Sequence, residues 1–478
     1  MSRIHQLSAT ELVGLYATKS LSPVETTQAL LARHEQLAPD LNAFCAMNPE
    51  SALEQARASE ARWRAGKALG SLDGIPVSIK DNLGTGDMPT RFGSLAIGDE
   101  RAQIPDSPAV QRLREAGAVI FGKTTLPDFA HKITSDSPLT GVTRNPWNLL
   151  HTPGGSSSGA AAAVAAGLAP LALGTDGGGS IRIPAAFTGI YGLKPSFGRV
   201  PHHPRGAFAL LSHVGPMART TEDAAALMNI IARPDPRDWY ALPYDPIDYR
   251  STLRAPLPRL RIAVSPSLGL DRLPDPEILA TLKRSATLLE SLGAVVELAD
   301  PPAILQCLQI HGVLWSAFAA RLADSLGDAA RSLDPSLKAL IDAGRELPPH
   351  SILEALTRRG DCGREVNEFF TQHDLILCPT HPTVAPAISA DLHRDPPYPL
   401  YTPWCNQLGL PAATVHAGIG SEGLPIGLQL IGRQYDDLTV LRASHAFQQA
   451  FGTSPVIDTP GSGLTSTTGR HPSELHPA

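Results

Sequence analysis

The chain has 478 residues, 42% of them hydrophobic and 18% charged, which is enough to bury a sizeable core. Its formal charge is −6, from 40 Lys and Arg against 46 Asp and Glu, so it carries no basic footprint for nucleic acid or an anionic membrane. The five cysteines (Cys45, Cys307, Cys362, Cys378 and Cys405) form no C-x-x-C pair and read as reduced thiols of a cytoplasmic protein, not as a disulfide framework.

The first segment, MSRIHQLSATELVGLY, is polar and lacks the apolar run of a signal peptide. Two helix starts follow, Ser8-Ala9-Thr10-Glu11 and Ser22-Pro23-Val24-Glu25. Both are S-x-x-E capping boxes, the second with Pro at the first helical position. A helical stretch through LEQARASEARWRAG ends near Gly66 and completes an N-terminal helical layer over residues 1–66. Short apolar segments then alternate with helical ones: GIPVSIK, AVIFGK, PLALG, RIAVS, LILCPT, AATVHAG and GLPIGLQLIG. Strands spaced by helices predict an α/β fold, a central mixed sheet between helical layers, in one large domain. The last two strands are expected to form an antiparallel hairpin through a turn at residues 420–423. GAAAAVAAGLAPLALG, with Pro170 inside it, is shorter than the roughly 20 apolar residues of a spanning helix and reads as buried core. Prolines crowd residues 233–259, predicting a surface excursion, and residues from about 275 to 370 have a helical pattern. The expected partition of the domain, 1–455, is a catalytic core over 67–233, helical cover and loops over 234–375, and the rest of the sheet over 376–455. Residues 459–478 read as a disordered tail.

Three motifs invite a chemical reading. GAVIFGKT fits the phosphate-loop spacing G-x-x-x-x-G-K-[ST], but its variable positions are the strand-forming Ala118-Val119-Ile120-Phe121, and Pro127 soon follows. It reads as a strand, not as an ATP site. Gly155-Ser156-Ser157-Ser158-Gly159 fits the G-x-S-x-G nucleophile elbow, with Ser157 at its centre, although the preceding TRNPWNLLHTPG is polar and broken by prolines. That leaves an esterase with Ser157 as nucleophile as an alternative. The third motif is Thr175-Asp176-Gly177-Gly178-Gly179-Ser180, fed by the strand PLALG. Glycines let successive amides approach a ligand closely, and such amides can hold a developing oxyanion.

A serine hydroxyl needs a base, and no histidine lies between His151 and His202. Lys80 offers one. In Ile75-Pro76-Val77-Ser78-Ile79-Lys80, alternation puts Ile75, Val77 and Ile79 on one face and Pro76, Ser78 and Lys80 on the other. A lysine on a central strand is desolvated, and a pKa brought from ~10.4 to ~7–8 suits a general base.

These stretches together resemble the amidase signature family: DGIPVSIKDNLGT, AGAVIFGKTTLPDFA, GVTRNPWN, TPGGSSSGAAAAVAAGLAPLALGTDGGGSIRIPAAFTGIYGLKPSFGRV, HVGPMARTTEDAA, LILCPTHPTVAP and LGLPAATVHAGIGSEGLPIGLQLIGR. The resemblance spans residues 8 to 450. It implies a Ser–Ser–Lys triad with Ser180 as nucleophile, Ser156 as bridging serine held by a cis peptide bond, and Lys80 as base. It also implies an oxyanion hole from the backbone of Gly177, Gly178, Gly179 and Ser180, in a family where the residue at position 177 is often bulkier. Ser157 and Ser158 are expected as caps or hydrogen-bonding supports, and Asp176 with Arg182 as a pair holding the loop.

The implied reaction is hydrolysis of a carboxamide or related acyl–nitrogen bond through an acyl-enzyme, without a cofactor. His202 and His203 lack metal-ligand spacing, and no metal is expected. A small, aromatic amide or a carbamate (urethane) is the expected substrate, with no nucleic acid or membrane partner and with monomer and homodimer both open. The pocket is expected between residues 130–141 and the helices after 275. The alternative is an amidotransferase-type subunit working with a partner.

Overall fold

The computed structural model describes residues 3–390 and 401–461, so residues 462–478 of the expected tail lie outside it. Both capping boxes form: the Ser8 and Ser22 hydroxyls accept from the Glu11 and Glu25 amides, and each glutamate reaches back to its serine's N–H. The third helix, Pro49–Arg64, stops where Gly66 turns to φ +67°.

Thirteen strands are formed among the described residues: β1 (Phe44–Met47), β2 (Pro76–Lys80), β3 (Val119–Thr124), β4 (Asp136–Ser137), β5 (Gly141–Val142), β6 (Leu171–Asp176), β7 (Tyr191–Lys194), β8 (His213–Ala218), β9 (Arg261–Val264), β10 (Val295–Leu298), β11 (Leu375–Pro379), β12 (Ala412–Ile419) and β13 (Pro425–Gly432). β4 and β5 pair only with each other, and the rest make one 11-stranded sheet in the order β1-β3-β2-β6-β8-β7-β12-β13-β11-β9-β10. The sheet is mixed. β2 runs parallel to both neighbours, β6 turns the pattern antiparallel at β8, and β11, β9 and β10 are parallel again. The predicted hairpin is β12 with β13.

All seven strands read from the sequence are in this sheet, GAVIFGKT among them as β3. Four others were not anticipated: β1, β7, β8 and β10. β8, with Gly215 and Pro216 in its middle, does not look like a strand. Pro216 is tolerated because β7 pairs with β8 only at Met217 and Ala218, beyond the missing N–H.

β2 lies between β3 and β6 with every residue buried. Ile75, Val77 and Ile79 join the largest apolar cluster on one face of the sheet, as the alternation requires, which sends Lys80 to the other face. On that side sit the alanine-rich helix Ser158–Ala165 and the short helix Arg182–Thr188, both wholly buried. Long helices, Pro276–Ser291, Ile304–Leu326, Pro335–Arg345 and Pro349–Phe369, fill the region predicted helical. Among the described residues no helix is long and apolar enough to cross a membrane.

The helix after Ser180 rests directly on the sheet because two strand residues have no side chain. A Cβ on Gly427 would lie 2.5 Å from Ala186 Cα, and one on Gly192 would lie 2.8 Å from the Ala185 methyl. Neither obstacle is a flexible tip. Gly427→Ala is therefore expected to destabilise the fold by about 1–3 kcal/mol, the usual cost of overpacking, measured as a lowered thermal midpoint.

Candidate active site

Lys80 ends β2 with no solvent exposure. Its Nζ lies 2.6 Å from Ser156 Oγ, 2.9 Å from Ser157 Oγ and 3.1 Å from the Thr175 carbonyl oxygen. None of these is a carboxylate. Burial, only partly countered by the more distant Asp176, pushes the amine well below the ordinary lysine pKa. The Gly155–Ser156 peptide bond is cis, as the resemblance implied.

Ser157 stands at the N-cap of the alanine-rich helix, yet its hydroxyl makes no capping bond. It spans Lys80 Nζ and the Thr175 carbonyl oxygen instead, the latter at 3.1 Å, while its N–H donates to the Ser180 carbonyl. It is a support for Lys80, not a cap. Ser157 is absent from the lining of the pocket described below, so the elbow reading has no route to a substrate there.

The glycine loop is held by one carboxylate. Asp176 accepts from the amides of Gly179 (2.7 Å), Ile181 (3.1 Å) and Arg182 (3.4 Å), and from Arg182 Nε and Nη2, both at 3.0 Å. Asn406 Nδ2 bonds both its side chain and its carbonyl at 2.8 Å. Burial alone would raise the Asp176 pKa, but the Arg182 guanidinium and Lys194 outweigh it and hold the carboxyl well below its usual range. Arg182 continues outward to the Thr402 carbonyl and to Asn406.

This anchoring changes one expectation. Gly179 was expected to offer its N–H to an oxyanion along with Gly177 and Gly178, but that N–H is committed to Asp176. The turn at φ +129° that permits this suits glycine alone, and a Cβ would meet Thr402 Oγ1 at 2.2 Å. The amides of Gly177, Gly178 and Ser180 have no protein acceptor among the described residues.

Ser156 and Ser180 line the same pocket, of about 350 Å³, of which only about 20 Å³ admits the centre of a water molecule. It is a slot. Its walls carry four aromatic rings, Phe92, Phe129, Phe208 and Trp315, with Asn82 as an amide and no ionisable side chain among the described lining residues. Phe92 and Phe129 stack at 5.5 Å and 18°. Both adopt left-handed backbone, φ +57° and +48°, unusual for bulky residues and typical of sites where the surroundings over-determine the chain. Here the Phe129 N–H donates to the Phe92 carbonyl, and the Arg91 and Gly93 amides flanking Phe92 bond the carboxylate of Asp81, itself paired with buried Lys123 at 3.2 Å.

Of the walls expected from the sequence, Ala130 and one member of the later helices, Trp315, are in place. Phe92, Phe129, Phe208 and Asn82 were missed. Asn82 could have been noticed, since it follows Lys80 by two residues on the same strand face.

Three comparisons bear on this arrangement. The family model described as amidase matches residues 25–441. The amidase-type subunit of a glutamyl-tRNA(Gln) amidotransferase from Chloroflexus aurantiacus is 36% identical over 478 residues, covering 94% of this chain and 97% of that protein. Among solved structures, a bacterial aryl acylamidase of the amidase signature enzymes superposes with a TM-score of 0.88 at 32% identity, over 96% of this chain and 99% of that one. The peptide amidase of Stenotrophomonas maltophilia does so with a TM-score of 0.81 at 29% identity, over 94% and 98%.

Removing one member of a buried ion pair leaves the other charge uncompensated. Asp176→Ala is expected to cost about 3–5 kcal/mol in denaturant unfolding. The double variant Asp176→Ala/Arg182→Leu should recover part of that loss, because no charge is then stranded.

Proposed function

The chain belongs to the amidase signature family and is an amidohydrolase, and we propose that it cleaves a small, uncharged aryl amide or aryl carbamate with Ser180 as nucleophile and Ser156 and Lys80 as its proton relay. The observation that carries this reading is the 2.6 Å approach of a fully buried lysine amine to Ser156, in the same pocket as Ser180.

Hydrogen-bond counting supports a free amine. A neutral Lys80 has two N–H donors and one lone pair. The donors suit Ser157 Oγ and the Thr175 carbonyl, which leaves the lone pair for the Ser156 hydroxyl proton. Ser180 Oγ attacks the carbonyl carbon and its proton passes to Ser156 as the Ser156 proton passes to Lys80. The oxyanion of the tetrahedral intermediate is held by the uncommitted amides of Gly177, Gly178 and Ser180, where one such donor is typically worth ~3–4 kcal/mol. Collapse breaks the C–N bond, Ser156 gives its proton to the leaving amine, and Lys80 returns one to Ser156. Water then attacks the acyl-enzyme by the same relay and frees the acid. No step calls on a cofactor. Asp176, Arg182 and Gly179 act as positioning residues that fix the loop.

The aryl preference rests on four rings around a narrow slot and is in keeping with the likeness to the aryl acylamidase. The curated relatives favour a second reading, glutamine hydrolysis as part of an amidotransferase. Glutamine is a zwitterion, and taking its α-ammonium and α-carboxylate out of water needs charged partners. The described lining has none. A stand-alone enzyme is therefore preferred, with all of these walls supplied by its own chain.

Ser180→Ala and Lys80→Met are each expected to lower kcat on 4-nitroacetanilide by at least about 10³-fold, and Ser156→Ala comparably, while Ser157→Ala retains most of it. Full loss in Ser157→Ala alone would restore the elbow mechanism. Glutamine should not be hydrolysed, with ammonia release as the readout. Because the base must be uncharged, kcat/KM should fall as pH drops through the Lys80 pKa, and that acid limb should lie well below pH 10.5.

A further inference from the structure

Gly177 is not glycine for the sake of its backbone. Unlike Gly179, its φ lies outside the left-handed region. What excludes a side chain is a ring: a Cβ on Gly177 would lie 3.1 Å from Cζ3 and 3.2 Å from Cη2 of Trp315, with nothing else within 4 Å. That is closer than almost any real Cβ contact, so one of the two would have to move.

Trp315 is not free to move. On one side its ring stacks face to face on Phe208, with centroids 3.4 Å apart and planes within 5°. On another it lies against His311, one turn earlier on the helix Ile304–Leu326, at 5.2 Å and 23°. His311 in turn covers the next glycine, with its Nε2 3.2 Å from where a Gly178 Cβ would be. An i, i+4 pair on one helix thus lays a ring against each of the first two glycines of the nucleophile loop.

Resting on the Ser180 reading above, we propose that Trp315 is a specificity-determining residue: its indole takes the space that a side chain at 177 would fill and forms the slot wall beside the amides that hold the carbonyl oxygen. The group joined to the scissile carbonyl along this wall is then short or flat, as in acetyl or benzoyl, and branched acyl groups are refused. The absent side chain at 177 and the tryptophan at 315 are two halves of one fit.

The test uses the intact enzyme and a series of 4-nitroanilides sharing one leaving group: acetyl, benzoyl and pivaloyl. Trp315→Leu, and Trp315→Ala if it folds, should raise the pivaloyl-to-acetyl ratio of kcat/KM by about tenfold or more, the scale of a reshaped apolar pocket. A ratio within about twofold of the parent's overturns the proposal. A thermal-shift cycle reads the fit without turnover. Gly177→Val should lower the midpoint in the parent, and in the Trp315→Leu background that loss should be at least halved. Strictly additive shifts overturn the proposal as well. Failure of the Ser180 reading looks different: Ser180→Ala would keep parental activity, or the parent would cleave no anilide, while the cycle still decides whether residues 177 and 315 are fitted to each other.

Discussion

The chemistry of this site depends on keeping an anion away from one amine. A carboxylate placed 4 Å from Lys80 would favour its ammonium by about 4 kcal/mol at an effective dielectric constant near 20, which is about three pKa units. That is as large as the shift a lysine needs to serve as a base near neutrality. The protein surrounds Lys80 with two hydroxyls and a carbonyl instead. The nearby buried carboxylates already have cations of their own, Asp81 with Lys123 and Asp176 with Arg182. Asp176 still reaches Lys80 through space, but burial outweighs it. Pairing charges elsewhere is what leaves this one amine uncharged.

Legibility in the sequence followed the range of the interactions. The polarity of GIPVSIK alone was enough to send Lys80 to one sheet face and its apolar neighbours to the other, because alternation is a local rule. The capping boxes were legible for the same reason. β8 was not, because its proline and glycine violate strand composition, and only the limited extent of β7 makes the violation harmless. The glycine loop was readable as an amide cradle. Which of its amides stay uncommitted was not readable, since Asp176 selects Gly179 through a turn that composition does not announce. The aromatic walls were the least visible part. Phe92, Phe129, Phe208 and Trp315 come from separate places in the chain, and the first two depend on left-handed backbone held by a distant lysine–aspartate pair.

Reaction and substrate choice are separable in this architecture. The amine, the hydroxyls and the uncommitted amides come from β2, the loop before the alanine-rich helix, and the loop after β6. The walls come from other loops and from a helix more than a hundred residues further on. Such a division lets one scaffold be shared by an aryl acylamidase, a peptide amidase and a component of an amidotransferase, the proteins this chain is similar to, since function lives in the site and not in the fold.

The ties of Arg182 and Asp176 to Thr402 and Asn406 span 220 to 230 residues of sequence. A chain emerging from the ribosome makes its serines and its lysine early, but the clasp that shapes the loop around Ser180 is among the last parts to arrive. Until then the nucleophile has no fixed cradle. Synthesis order thus acts as a safety catch: reactivity is withheld from the nascent polypeptide and released only when nearly the whole molecule is there to close around it.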